Sequence, residues 1–309
     1  MVDIICLGEP MVEFNQTNEE QFVRGFGGDT SNCAISAARQ GAAVGYLTRL
    51  GNDQFGDSLI ALWQSEGIDT SKVARDANHA TGIYFVSHDT EGHHYTYYRQ
   101  NSAASVMSAD DLPEKYIAES KILHVSAISQ AISDSAAQSV NHAIDIANQN
   151  NTQVSYDTNL RLALWPLEKA KTVIHESMSR CQIALPSLDD ARLLTGLDEH
   201  DAIVDFYLEL GPELVVLKLG SAGVIVADHH SRTQIKPLQV DSIDANGAGD
   251  IFAGALLSQI ILGIEPVSAA RYANATAALS TTRAGAVTSI PTAQEVETFN
   301  ATNEHAVNF

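Results

Sequence analysis

Residues 244–263 read DANGAGDIFAGALLSQIILG. Three small residues, Gly247, Ala248 and Gly249, stand between polar residues and an apolar run. From Ile251 onward that run is apolar on nearly every face (Ile251, Phe252, Ala255, Leu256, Leu257, Ile260), which predicts a helix buried in a core. The start of such a helix leaves N–H groups unpaired at the positive end of its dipole. Gly247 and Gly249 permit a tight turn and keep side chains away from those donors, so an anion, phosphate above all, can approach. Asp250 taken alone reads as a helix cap. Beside a phosphate cradle, however, a carboxylate is electrostatically unfavourable unless it takes up a proton. A fixed base typically contributes about 10²–10⁴ in rate. Gly247, Ala248 and Gly249 thus read as an oxyanion-stabilising turn and Asp250 as a general base.

Working outward, DIICLG (3–8) predicts a short buried strand, and TSNCAISAARQGA (30–42) a helix stopped by Gly41. Residues 44–50 predict a strand, and 54–66 a helix ended by Gly67. Two pieces differ: EFNQTNEEQFVRGFGG (13–28), and GIYFVSH with HHYTYYRQ (82–88, 93–100) flanking a DTEG turn. These β-rich pieces predict a small separate sheet, a lid formed by about 10–27 and 80–101. From KILHVSA (121–127) to PELVVLKLG (212–220) strands and helices alternate. That order predicts an α/β fold of three layers, a doubly wound, mostly parallel sheet with helices on both faces, in a single domain over 1–309. The tail after Thr292 reads as polar and peripheral. Ligands of open parallel sheets bind at the carboxyl ends of the strands. Glu9, Asp157 with Asn159 and Arg161, Ser187, Lys218 and Asp244 all follow predicted strands.

Composition narrows the function. Net charge is −20, from 38 acidic and 18 basic residues. Nucleic acid is disfavoured as a partner, because backbone binding needs a basic face. Any anion site must rely on local donors. Neither end reads as a targeting signal, and the longest apolar stretch is too short to cross a bilayer. The expectation is no membrane partner and a cytoplasmic protein, with Cys6, Cys33 and Cys181 too widely spaced for a disulfide framework or zinc cluster. The adjacent pairs His93–His94 and His229–His230 point apart in extended chain and make poor chelates. No G-x-G-x-x-G follows the first strand, which disfavours a dinucleotide-dependent oxidoreductase.

DANGAGD with IFAGAL resembles the C-terminal signature of the ribokinase-like (PfkB) carbohydrate kinases; Ala245 and Asn246 depart from it without touching the turn or the base. GGDTSNCAISAARQGAAVGYLTRLGNDQFGD (27–57) is similar to the N-terminal signature. The resemblance spans essentially the whole chain and implies ATP, Mg²⁺ and a sugar-like alcohol, with a monovalent cation near Asp244 left open. It also implies a homo-oligomer, a dimer paired through the lid.

Within the family, GEP (8–10), GGDTSN (27–32), TGIY (81–84), YYRQNSAAS (97–105) and DTNLRLALW (157–165) resemble 2-keto-3-deoxygluconate kinases. That implies a sugar-acid site of Gly28, Asp29, Thr30, Asn32, Tyr84, Tyr97, Arg99 and Arg161. DTNLRLALW is shared with fructokinases, so a neutral-sugar kinase is the alternative. An arginine is the physical requirement of the acid, since a charge-assisted bond is worth about 1.5–3 kcal/mol. The family likewise implies ATP contacts from Asn159, Ser187, Lys218, Gly220, Gly223 and Asn274. Asp190 falls where relatives carry a glutamate that organises Mg²⁺-bound water.

Overall fold

The computed structural model describes residues 2–18, 20–89 and 92–307, without the side chains of His93 and of residues 303–307. Its strands are β1 Ile4–Leu7, β2 Met11–Asn18, β3 Gln21–Gly27, β4 Val44–Leu47, β5 Arg49–Gly51, β6 Ala74–Asp76, β7 Ile83–Asp89, β8 Gly92–Tyr98, β9 Ile122–Ser126, β10 Gln153–Asp157, β11 Ile183–Leu185, β12 Leu214–Lys218, β13 Val224–Ala227 and β14 Arg232–Ile235. Eight of them form one sheet in the order β14-β13-β12-β11-β10-β9-β1-β4. From β4 to β12 every pairing is parallel, and β13 joins antiparallel to both its neighbours. Alternate residues of these strands feed two separate cores. Ile5, Leu7, Leu123, Val125, Val154 and Tyr156 pack on one face, and Ile4, Cys6, Ile122, Ile183 and Leu185 on the other. Burial of both faces explains why the strands read as unbroken apolar runs instead of alternating.

The two β-rich pieces come together as predicted, in a four-stranded sheet β3-β2-β7-β8. Thr90 and Glu91, at the centre of the expected hairpin turn, lie outside the described residues. Asp53 ties this sheet to the core. Its Oδ1 accepts from the N–H groups of Phe55 (3.1 Å) and Gly56 (2.8 Å), capping the helix Gln54–Ser65, while Oδ2 accepts from Thr81 N at 2.8 Å, just before β7. These bonds hold its carboxyl below the usual range despite partial burial.

Two expectations need correction. The single strand expected over 44–50 breaks at Thr48; β4 stays in the main sheet, whereas β5 pairs with β6 in a two-stranded sheet. The turn is fixed by tertiary partners, with the Arg49 guanidinium bound to Asp76 (2.8 Å) and Asp111 (3.0 Å). The tail after Thr292 is the helix Ala293–Val307, and its Val296 is fully buried. Among the described residues no helix is long and apolar enough to cross a membrane, and the three cysteines are buried and free.

Candidate active site

The apolar run of the opening stretch is the helix Ala248–Ile261. Gly247 precedes it at φ 76°, a left-handed conformation that glycine adopts without strain. The helix begins earlier than the sequence suggests, so Ala248, Gly249 and Asp250 form its first turn and Asp250 is not a cap. Ala248 N–H turns back to the Ala245 carbonyl (3.2 Å). No side chain caps the helix, and its remaining first-turn donors face a cleft of about 1210 Å³ lined by residues 245–250.

Asp250 Oδ2 accepts a hydrogen bond from Asn32 Nδ2 at 2.9 Å. Loss of water contact raises the carboxyl first, and the neighbouring Asp29 and Asp157 add repulsion. Against them stand the Asn32 bond and Lys218, and the balance leaves the group pushed up to about 8. A carboxyl poised near neutrality suits a general base.

The helix Asp29–Arg39 holds this turn in register. Ser36 Oγ donates to the Ile251 carbonyl at 2.7 Å. One turn further on, a Cβ on Gly254 would stand 2.2 Å from the Cys33 carbonyl oxygen, so only glycine lets the two helices approach this closely.

The residues expected on the sugar side divide. Gly28, Asp29, Asn32, Tyr84, Tyr97, Arg99 and Arg161 all line the cleft. Gly28 has φ 112°, and a Cβ there would meet the Glu9 carbonyl at 2.5 Å. Asp29 Oδ2 accepts from Asn159 Nδ2 (2.9 Å), which stitches the loop after β10 to the start of the helix Asp29–Arg39. Thr30 does not reach the cleft; it is fully buried, its hydroxyl 2.8 Å from that of Tyr46. Two residues on from Gly28, about half a helical turn, it faces away from the cleft and into the core. Tyr84 donates to Glu13 Oε2 at 2.5 Å and stacks on Tyr97 with centroids 5.5 Å apart. Tyr95, which the sequence reading did not single out, extends this aromatic wall and also lines the cleft.

Arg99 is not an open cation. It is bonded to Glu9, which is 1% exposed and also accepts from Ser102 Oγ (3.2 Å). Burial nonetheless raises the Glu9 carboxyl, with Arg99 opposing. Arg161 has no carboxylate within ion-pair distance among the described residues; its guanidinium donates to the Leu160 carbonyl at 2.9 Å.

Of the residues expected to contact ATP or Mg²⁺, Asn159, Ser187, Asp190, Lys218 and Gly220 also line the cleft. Lys218 Nζ sits 2.6 Å from Asp157 Oδ2 and would be 3.6 Å from a Cβ placed on Gly249. It therefore brings positive charge directly beside the glycine turn. Ser187 caps the helix Leu188–Thr195 through Asp190 N. Asp190 Oδ2 braces the loop after β10, accepting from Thr158 Oγ1 (3.0 Å) and Leu160 N (3.1 Å).

Two expected ATP contacts fall elsewhere. Gly223 is not at the cleft; a Cβ there would meet the Ile235 carbonyl at 2.1 Å, so its role is in the β12–β13 turn. Asn274 is likewise not at the cleft and donates to the Lys236 carbonyl at 3.0 Å. Asp244 ties its loop to the segment after the helix Pro266–Ser280, accepting from Asn246 N and Gly285 N, each at 2.9 Å. Among the described residues no group of three or more His, Cys, Asp or Glu could hold a metal alone.

Residues 1–293 match the family model described as pfkB family carbohydrate kinase. The chain belongs to the pfkB family of carbohydrate kinases. This pfkB-family kinase is 32% identical to a 2-dehydro-3-deoxygluconokinase of Bacillus subtilis (strain 168), over 96% of its own length and 95% of that protein's. It is 30% identical to fructokinase-1 of Zea mays, over 95% and 96%. A pfkB protein from Polaromonas sp. JS666 superposes with a TM-score of 0.89 at 30% identity, covering 96% of this chain and 99% of that one. The ribokinase-like α/β expectation thus holds, including the small separate sheet.

Proposed function

We propose that this kinase transfers the γ-phosphoryl group of ATP to the 6-hydroxyl of 2-keto-3-deoxygluconate, giving the 6-phosphate. The observation that carries the reading is a raised carboxyl, Asp250, in the uncapped first turn of a helix whose cleft also holds the open cation Arg161. A sugar acid entering a protein of net charge −20 needs such a cation. Arg161, tethered next to the loop that Asp29 and Asp190 brace, is placed to meet the carboxylate.

Asp250 takes the hydroxyl proton as that oxygen attacks phosphorus in line. The first-turn N–H groups and Lys218 stabilise the charge gathering on the transferred oxygens. A divalent ion such as Mg²⁺ would add charge neutralisation at the phosphates. The donor set fits an ion held mainly by phosphate and water, with Asp190 at most an outer partner, which is how Mg²⁺ is usually bound. The small sheet serves as a lid whose Tyr84, Tyr95 and Tyr97 wall excludes water. Its Phe22 and Tyr98 remain exposed around Phe85, which favours pairing of two copies through this sheet; sedimentation of the purified chain tests that.

Fructokinase is the second reading. It is favoured by Glu9, which already neutralises Arg99, and by the similar identity to a fructokinase. Coupled assays with 2-keto-3-deoxygluconate, fructose and ribose decide between them. A kcat/KM highest for fructose would overturn the sugar-acid assignment.

A further inference from the structure

We propose that Asn32 is a positioning residue for the catalytic carboxylate, fixing which oxygen of Asp250 faces the attacking hydroxyl. The inference rests on the reading of Asp250 as the base, and goes beyond the sugar contact that the sequence implies for Asn32.

Asn32 is 4% exposed and sits on the buried helix Asp29–Arg39, whose other contacts to the catalytic helix are fixed. Ser36 holds the Ile251 carbonyl and Cys33 abuts Gly254. Positions 32, 33 and 36 therefore meet 250, 254 and 251 in one register, and the Asn32 amide has little freedom to wander. Its Nδ2 donates to Asp250 Oδ2 at 2.9 Å. That bond occupies one carboxylate oxygen and orients the other.

The second polar atom of the same side chain supports this placement. Asn32 Oδ1 is buried and has no hydrogen-bond partner, while Asn32 lines the cleft. A buried acceptor without a donor is costly, and a ligand hydroxyl would satisfy it. One amide would thus hold the base with its nitrogen and the acceptor sugar with its oxygen, setting both reacting groups from a single rigid point.

The charged groups facing Asp250 are Asp29 from the helix Asp29–Arg39, Asp157 from the end of β10, and Lys218 from the end of β12. The two aspartates favour the protonated carboxyl; Asn32 and Lys218 favour the ionised one. Removing the Asn32 donor therefore moves the titration of Asp250 upward, whereas losing a mere sugar contact leaves it in place.

The test uses the full chain, Mg²⁺–ATP and whichever sugar of the panel the wild type phosphorylates best. Initial rates from pH 5.5 to 9 are compared for wild type, Asn32→Ala and Asn32→Ser, with Asp250→Asn as reference. For both Asn32 variants the expected result is a kcat lowered about 10–100-fold, with the KM for ATP unchanged. The acid limb of kcat should also move up by about half a pH unit or more. Serine keeps a small polar side chain and stands in should the alanine variant fail to fold, which a thermal melt reports. A raised sugar KM with normal kcat and an unmoved acid limb would overturn the proposal and leave Asn32 a sugar contact. Near-normal turnover by Asp250→Asn would instead refute the base assignment itself, a separate failure.

Discussion

Lys218, at the end of β12, reaches over the end of β11 to Asp157 at the end of β10, placing Nζ 2.6 Å from Oδ2. The side chains are 12% and 5% exposed, so the pair is largely withdrawn from water. It delivers a cation to the glycine turn while holding down one of the three carboxylates crowded there.

Lys218→Met should therefore do two things. Loss of the cation raises the KM for ATP by about tenfold or more, the worth of a charge-assisted bond. Leaving Asp157 buried without its partner destabilises the fold, by about 3–5 kcal/mol for buried pairs of this kind. Steady-state kinetics and a thermal melt measure both effects, and an unchanged KM for ATP would remove Lys218 from the phosphate site.

Asp250→Asn should abolish most turnover yet stabilise the protein. The wild-type carboxyl titrates at about 8 when folded, above its ordinary value of about 4 when unfolded. The folded state then binds more protons between those values, and stability falls as pH rises through that window. The asparagine variant is free of this penalty. Its melting temperature should match the wild type near pH 4, exceed it increasingly towards pH 8, and keep a constant advantage above. Melts across pH 4–9 check the trend, and a variant less stable at pH 8 contradicts it.

Gly254→Ala adds a methyl group that would lie 2.2 Å from the Cys33 carbonyl oxygen, a backbone atom that cannot swing aside. Helix separation should cost about 1–3 kcal/mol. Because Asp250 lies one turn earlier on the same helix, kcat should fall as well. Circular dichroism melts and kcat at saturating substrates would reveal a harmless substitution if the close approach is wrong.

Arg161→Gln and Arg99→Gln should separate the two arginines. Arg161 has no carboxylate partner among the described residues, so its loss should lower kcat/KM for a sugar acid about 10–150-fold and spare a neutral sugar. Arg99 is the partner of buried Glu9, so its loss should lower stability and impair every sugar alike. Equal effects of Arg161→Gln on fructose and on the acid would show that Arg161 does not read the carboxylate.

Much of the architecture was legible because burial on both sides writes continuous apolar strands such as IICL and ILHVS, and the helices between them carry their own stop signals. Gly41, Gly67 and Gly196 each end a helix with positive φ. The glycine turn was legible for a similar reason, since its conformational demand falls on Gly247 itself. Thr48 was not: nothing local marks the break between β4 and β5, which Arg49 secures through Asp76 and Asp111, far away in sequence.

Within the cleft, residue type indicated chemistry but not partnership. Arg99 and Arg161 look equivalent as letters, and only folding brings Glu9 to one of them. Thr30 and Asn274 look available, yet packing directs one to Tyr46 and the other to the Lys236 carbonyl. Asp250 is a base candidate from its place in the sequence, but its raised titration depends on burial in the folded cleft and on Asp29 and Asp157 arriving from other elements.

The amino-acid order by itself determined the layered fold, the glycine turn and the acid beside it, because hydrophobic periodicity and backbone freedom are properties of neighbouring residues. Only the tertiary structure decided which charges remain open and which are already matched. Electrostatic pairing depends on distances of a few ångströms between groups far apart in the chain, 90 positions for Glu9 and Arg99, and those distances exist only once the sheet and its helices have closed around the cleft.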